Sequence, residues 1–318
     1  MEDIMSKKPL IILTGPTSVG KTSLSISLAK AVNGEIISAD SMQVYKYMNI
    51  GTAKIKDEEM DGIPHYLISE FDPDEDFNVF KFQQYAKKYI EIIQEKNKIP
   101  ILVGGTGFYI QAVLYDIDFQ DNDSDKSYRQ ELEALAKTRG STYLHELLAH
   151  RDPLSAKAIH PNNTKKIIRA LEYYHQTGEA ISAHNKEQKN NESPYLYKYF
   201  VLNRDRAKLY ETINVRVDAM IKNGLVDEVK KLKNMGYTKD MVSMQGLGYK
   251  EIGAYLDGEL SLDEAIHVLK RDTRHYAKRQ LTWFRREKDV VWVDKDNFEN
   301  DHAILDHILN HLKEAGII

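Results

Sequence analysis

Gly15-Pro16-Thr17-Ser18-Val19-Gly20-Lys21-Thr22 sets two glycines, a lysine and a hydroxyl at the spacing of a phosphate-binding loop. The octapeptide stands between an apolar run, Leu10-Ile11-Ile12-Leu13, and a segment with apolar residues at helical spacing, Leu24, Leu28 and Ala31. Glycines let the chain curl so that successive backbone N–H groups face inward; Lys21 adds positive charge and the Thr22 hydroxyl can ligate Mg²⁺. A plain glycine turn is the alternative, and all four motif positions with both flanks weigh against it. The pattern predicts a polyphosphate site without saying which phosphate compound it holds.

Three further sets of residues can do chemistry. Asp40 ends the short apolar segment Glu35-Ile36-Ile37-Ser38, where a carboxylate beside phosphate can hold Mg²⁺, orient water, accept a proton, or simply cap a turn. Arg216 lies off the stripe formed by Ile213, Val217, Met220 and Ile221, as a solvated arginine would, yet its planar fork suits phosphate. From Lys270 to Arg286 there are seven basic residues (Lys270, Arg271, Arg274, Lys278, Arg279, Arg285, Arg286) against the single acid Asp272. Ala277, Leu281 and Phe284 give that stretch an apolar stripe, so its basic face is either solvated or turned to an anion. Lys165, Lys166 and Arg169 add a second basic cluster, and contacts from such distant segments suit a nucleic-acid backbone better than a metabolite.

Elements that would position these residues alternate in the first third of the chain. Helical periodicity over 80–93 leads into Ile99-Pro100-Ile101-Leu102-Val103, an apolar strand followed by Gly104-Gly105-Thr106-Gly107. The four-apolar-then-Asp run that holds Mg²⁺ in many ATPases is missing there, since Val103 precedes Gly104, which argues against a motor or switch NTPase. Strands joined by helices predict a parallel sheet with ligands at the strands' carboxyl ends, where the loop, Asp40 and Thr106 all fall. Gln120-Asp121-Asn122-Asp123-Ser124-Asp125 reads as a polar linker, residues 128–178 are helical in period, and the polar stretch Asn185 to Ser193 closes that block. Strand character returns at Tyr199-Phe200-Val201-Leu202 and Val290-Val291-Trp292-Val293. The expected fold is α/β: a P-loop NTPase-like parallel sheet flanked by helices over 1–118 and 199–318, with an inserted all-helical domain over 119–198.

Composition bounds the setting. A chain of 318 residues can bury a full core and divides into roughly two units. Lacking cysteine, it has no disulfides or thiolate metal sites. Met1-Glu2-Asp3-Ile4-Met5-Ser6-Lys7-Lys8 carries no apolar signal core, and no run approaches the roughly 20 apolar residues of a membrane span. A cytoplasmic protein with no membrane partner is expected. The net charge of −4 does not announce a nucleic-acid binder, but a global sum can hide a basic face.

Over essentially its whole length the chain resembles the tRNA dimethylallyltransferase (tRNA isopentenyltransferase) family. The resemblance rests on the phosphate loop together with Asp40-Ser41-Met42-Gln43-Val44-Tyr45, Asn49-Ile50-Gly51-Thr52-Ala53-Lys54, Pro64-His65, Gly104-Gly105-Thr106-Gly107-Phe108-Tyr109, His160-Pro161-Asn162, Ile168-Arg169-Ala170-Leu171-Glu172, Gly248-Tyr249-Lys250 and Ala277-Lys278-Arg279-Gln280-Leu281-Thr282-Trp283. Members transfer a dimethylallyl group from dimethylallyl diphosphate to N6 of the adenosine immediately 3′ of the anticodon, releasing diphosphate. The resemblance implies that Gly15 to Thr22, with Arg216, hold the diphosphate and that Lys21 and Arg216 stabilise the leaving group. Thr17 would contact the diphosphate near the breaking bond, while Thr22 and Asp40 hold Mg²⁺. Asp40 would also take the N6 proton of a flipped base. It further implies tRNA contacts from Asp40, Ser41, Met42, Gln43, Thr106, Lys165, Lys166, Arg169, Gln245, Gly248, Tyr249 and Lys250. Arg274, Lys278 and Arg285 on the basic stretch are expected to join them, and the helical insertion to grip the anticodon stem of tRNA. A monomer acting on the tRNA anticodon stem-loop and dimethylallyl diphosphate is expected. Two readings from other classes compete. One is a small-molecule or nucleoside kinase with ATP in the loop, which would turn over ATP without RNA. The other is a noncatalytic RNA-binding protein switched by a nucleotide, which would bind tRNA and yield no product.

Overall fold

Leu10, Ile11, Ile12 and Leu13 are all fully buried, as a strand covered on both faces requires. They lie in β1 (Lys8–Thr14) of a computed structural model that describes residues 7–119, 127–188 and 191–318. The elements that follow are α1 (Lys21–Ala31), β2 (Gly34–Ala39), β3 (His65–Tyr66), α2 (Val79–Glu95), β4 (Ile99–Gly104) and α3 (Gly107–Leu114). After the insertion come β5 (Tyr195–Asn203), α8 (Arg206–Lys222), α9 (Leu225–Asn234), α10 (Tyr249–Leu256), α11 (Leu262–Phe284), β6 (Val290–Asp294) and α12 (Asp301–Glu314). The sheet runs β3-β2-β4-β1-β5-β6 and every registered pair is parallel. Periodicity foretells every strand but β3, whose two residues carry no alternation to read.

Helices α1, α8, α11 and α12 close one core against this sheet through Leu24, Leu28, Ile213, Ala277, Ile304 and Ile308, packed with Ile11, Leu13, Ile101, Phe200 and Leu202. Ser261 starts α11 with a capping box: its hydroxyl accepts the Glu264 N–H, and Glu264 in turn accepts the Ser261 N–H at 2.8 Å. The strand ends that matter are drawn together. Thr14 Oγ1 donates to Gly104 O at 2.6 Å, and Thr106 N donates to Ala39 O at 3.2 Å. A Cβ at position 104 would sit 2.2 Å from Ala39 O, so only glycine allows β2 and β4 to finish this close.

A second compact unit, Tyr115–Ser193, is inserted between α3 and β5. Its helices are α4 (Ser127–Arg151, broken at Gly140), α5 (Pro153–Ala158), α6 (Thr164–Thr177) and α7 (Ile181–Gln188). Leu132, Leu144, Leu148, Ile167, Ile168 and Leu171 form its own core. Asp152 caps α5 and also accepts from Ser182 N and Oγ, which ties α7 to α5. The expected boundaries of 119 and 198 need correction: the insertion spans 115–193, because pairing with β1 already begins at Tyr195 opposite Lys8. The polar linker 120–125 and the N-terminal residues 1–6 lie outside the described residues, as do 189–190 of the closing polar stretch.

Candidate active site

Between β1 and α1 the phosphate loop is held in a curl by positive φ at Gly15 (148°), Ser18 (65°) and Gly20 (93°). Ser18 is the costly one, because an L side chain in the left-handed region meets its own backbone. Its hydroxyl oxygen is buried and makes no hydrogen bond, so the strained residue presents an unsatisfied polar group inside the loop. Lys21 Nζ donates to Gly15 O and Pro16 O, both at 2.9 Å. Burial first, and the neighbouring Arg216 guanidinium second, push the Lys21 ammonium down to about 7, with Asp40 pulling the other way. A depressed lysine beside a buried orphan hydroxyl is what an anion would satisfy.

Arg216 comes from α8, far from the loop in sequence. Burial lowers its pKa, while the Asp40 carboxylate favours its charge. Lys21, Asp40 and Arg216 therefore form one electrostatic cluster, two cations about one anion. Asp40 follows the end of β2, and its Oδ1 accepts the Met42 N–H at 2.8 Å and the Gln43 N–H at 3.3 Å. The turn-capping and chemical readings of Asp40 are thus not exclusive. One oxygen caps the turn, and among the described residues the other makes no hydrogen bond. Thr106 stands next to it through the Thr106 N to Ala39 O bond, and its hydroxyl is also buried without a partner. Tyr276 of α11 lies beside Thr106 and Gln280, and burial together with the Asp40 charge raises its phenol.

Thr22 is solvent-exposed at the start of α1 and borders a small cavity of about 30 Å³ shared with Ser25, Ser38, Gln43 and His65. A hydroxyl here and one uncommitted carboxylate oxygen on Asp40 match the few protein donors Mg²⁺ takes when phosphate oxygens and water complete its shell.

A family model described as IPP transferase matches residues 43–287. The tRNA dimethylallyltransferase of Lachnoclostridium phytofermentans is 63% identical over 311 residues, covering 98% of this chain and 99% of its own length. The chain belongs to the tRNA dimethylallyltransferase family. Among solved structures, the tRNA delta(2)-isopentenylpyrophosphate transferase of Staphylococcus epidermidis matches with a TM-score of 0.72 at 44% identity, over 97% of this chain and 100% of that one. A eukaryotic dimethylallyltransferase acting on tRNA matches with a TM-score of 0.82 at 30% identity, over 95% of this chain and 78% of that one.

The residues expected of a tRNA dimethylallyltransferase family member to face tRNA separate into groups. Ser41 and Met42 follow Asp40, and the Met42 side chain lies against Gly246, where a Cβ would meet Met42 Cε at 2.4 Å. Gln43 is committed inside the protein: Oε1 accepts from Ser38 Oγ and Nε2 donates to Thr52 O, both at 3.2 Å. Tyr249 needs correction, because its side chain is 1% exposed and its hydroxyl donates to Glu228 Oε1 at 2.7 Å. It props the surface from beneath and offers RNA no ring. Gly248 initiates α10 at φ 93°, Gln245 is exposed and donates to Lys239 O, and Lys250 is exposed beside Glu251 and Asp272.

On α11 the single-acid count overlooks neighbours in space. Lys270 pairs with Asp218, Arg271 with Asp272, and Arg274 is half-buried, donating to Asn214 Oδ1 at 2.7 Å. Lys278, Arg279, Arg285 and Arg286 are exposed, with no carboxylate paired to them among the described residues. The basic surface is therefore the last two turns of α11 and the residues just beyond, beside a shallow recess of about 200 Å³ lined by Lys278, Arg279, Thr282, Trp283 and Arg286. In the inserted unit, Lys165 and Lys166 are exposed on α6. Arg169 is half-buried there, its pKa lowered by burial, and the adjacent Glu172 carboxylate is taken by Arg129 in two bonds of 2.8 Å.

Two polar residues, half-buried Glu228 and buried Gln280, escape the sequence reading of roles. Glu228 of α9 accepts the successive N–H groups of Asn49, Ile50 and Gly51, the shortest at 2.8 Å, and so anchors the segment after the Asp40 turn. Gln280 bonds the phosphate loop. Its signal was present: with Ala277, Leu281 and Phe284 it occupies the helical face that packs inward, and a polar residue there needs partners.

Proposed function

We propose that the cluster of Lys21, Asp40 and Arg216 carries the transfer of a dimethylallyl group from dimethylallyl diphosphate to N6 of the adenosine immediately 3′ of a tRNA anticodon. The observation that carries this reading is the convergence of two half-buried basic side chains with one carboxylate across 195 residues of chain, from Lys21 to Arg216. The loop amides, the Ser18 hydroxyl and Lys21 bind diphosphate; Arg216 faces the same charge. The exocyclic amine of adenine is a weak nucleophile because its lone pair is delocalised into the ring. Asp40 orients it and takes its proton as the N6–C1 bond forms, while the C1–O bond breaks and its electrons leave with diphosphate. Reaching Asp40 requires the base to leave its stack. Thr22 and Asp40 would hold Mg²⁺, which neutralises charge on the departing diphosphate.

Lys165, Lys166 and Arg169 would bind the anticodon stem, and Lys278 and Arg285 the tRNA phosphates. The chain is proposed to work as a monomer in the cytoplasm. Among the described residues no helix is long and apolar enough to cross a membrane. The test is direct. Incubate the protein with labelled dimethylallyl diphosphate, Mg²⁺ and unmodified tRNA, digest the RNA and look for N6-prenylated adenosine. ATP turnover without RNA would favour the kinase reading instead, and tRNA binding without product the binding-protein reading.

A further inference from the structure

Gln280 is 5% exposed, and both ends of its side-chain amide are used. Its Oε1 accepts the Thr17 backbone N–H at 2.9 Å, and its Nε2 donates to Gly105 O at 2.9 Å. The partners lie 263 and 175 residues away in sequence, one in the phosphate loop and one in the turn between β4 and α3. One acceptor and one donor on a planar group of this size specify an amide. A Cβ at position 105 would come within 2.1 Å of Gln280 Nε2, so glycine there is what admits the amide.

The Thr17 N–H is thereby withheld from any anion, while the amides from Ser18 onward remain to face one. Ser18, next in the chain, takes the left-handed conformation and turns its unpartnered hydroxyl inward. Such a strained residue persists only where its surroundings hold it, and the bond immediately upstream supplies that hold. We propose that Gln280 is a positioning residue for the leaving group: by pinning Thr17 to the β4–α3 turn it sets the curl of the loop that grips diphosphate. The inference rests on the reading of this loop as the diphosphate site. It also gives α11 two tasks, since the helix bearing the exposed cations shapes the loop from its inner face.

Two variants test it in the full-length protein. Gln280→Met keeps the volume and removes both hydrogen bonds. Gln280→Glu keeps the acceptor for Thr17 but, when ionised, opposes a carboxylate oxygen to Gly105 O. For each, measure the Kd of dimethylallyl diphosphate, the Kd of an unmodified anticodon stem-loop, the single-turnover transfer rate and Tm. The methionine variant should bind dimethylallyl diphosphate about tenfold more weakly and transfer about 10- to 100-fold more slowly, the scale of effect expected for a misplaced reacting group. Its affinity for the stem-loop should stay within about twofold of the parent.

The glutamate variant supplies a signature that packing alone cannot. As pH falls from 8 to 5.5 its acid regains a proton to donate to Gly105, so its defect should shrink relative to the parent at the same pH. The charged and phenolic groups that face the site, Lys21, Asp40, Arg216 and Tyr276, are common to both proteins, so taking that ratio removes their contribution. A folded methionine variant with parental affinity and rate overturns the proposal. Should that variant fail to fold, a glutamate-to-parent ratio independent of pH overturns it. A parent protein that binds no dimethylallyl diphosphate removes the loop reading itself, and this inference with it.

Discussion

One oxygen of Asp40 is spent on the Met42 and Gln43 amides, so replacement by asparagine can preserve the turn while abolishing the base. Asp40→Asn should therefore leave tRNA affinity within a few-fold and lower single-turnover transfer by about two to four orders of magnitude, the range for a lost general base. Near-parental chemistry would remove Asp40 from that role. Lys21 gives a pH dependence of definite sign. Free, its ammonium loses its proton near pH 7; bound to diphosphate, that proton is held more tightly. Affinity should then be flat or rising up to pH 7 and fall about tenfold per unit above it, with the ligand's own protonation weakening binding below about pH 6. Isothermal titration in buffers of different ionisation enthalpy checks this through proton uptake above pH 7, and Lys21→Met should remove the uptake. Legibility at this scale was uneven. Lys21 announces itself by motif, whereas Arg216 has the local sequence of any surface arginine. Only the tertiary fold, in which α8 packs on α11 and α9, sets its charge against Asp40.

At the scale of elements, α11 shows why counting charges along a sequence misjudges a surface. Its basic residues were legible, and so was its apolar stripe; the acids that cancel part of the charge come from α8 and from Asp272 on α11 itself. Replacing Lys278 or Arg285 by alanine should weaken cognate and non-cognate tRNA about equally and make the salt dependence shallower by roughly one unit per lost phosphate contact. Arg279 and Arg286, equally exposed, should behave alike. Arg274→Ala should change the slope least, because Asn214 already holds that guanidinium. Equilibrium binding over a salt series for each variant decides, and unaltered slopes for Lys278, Arg279, Arg285 and Arg286 would make the face a solvated one. Tyr249 teaches the converse lesson. The family resemblance implies a tRNA contact for Tyr249, yet the Glu228 carboxylate beneath draws its hydroxyl inside.

For the molecule as a whole, the sheet and its order of strands and helices followed from apolar runs and their spacing, because parallel strands buried on both faces leave an unmistakable trace. The insertion was legible as a change of period, but its edges were not. Residues 195–198 are all half-buried at the start of β5 and lack the continuous burial of residues 199–202, which is what marks the strand in the sequence. Stability rests partly on a buried carboxylate at the other end of the sheet. Glu35 accepts from Lys98 at 2.8 Å, Tyr66 at 2.7 Å and Lys96 at 3.0 Å. Burial alone would raise its pKa, but these three partners outweigh it and hold the carboxyl below its ordinary 4.5. A depressed carboxyl stabilises above its unfolded pKa and stops doing so as pH falls through the folded value. Glu35→Gln should cost about 2 kcal/mol at pH 7, the scale of a charge-assisted hydrogen bond, with the difference shrinking progressively as pH falls from the ordinary 4.5 through the lower folded value. Denaturant unfolding across that range measures it.

The two ends of the inserted unit meet, since Asn191 Nδ2 donates to Tyr115 O at 3.3 Å. A segment whose entrance and exit touch can be lifted out and its gap closed with a short turn, at little cost in loop closure. In evolutionary terms it is a cassette: a domain of this kind can be gained, enlarged or exchanged without rethreading the sheet that carries it. A version in which a few glycines and serines join Leu114 to Pro194 should fold and still bind dimethylallyl diphosphate, having surrendered only its hold on the anticodon stem. The chemistry and the choice of RNA would then be inheritable separately.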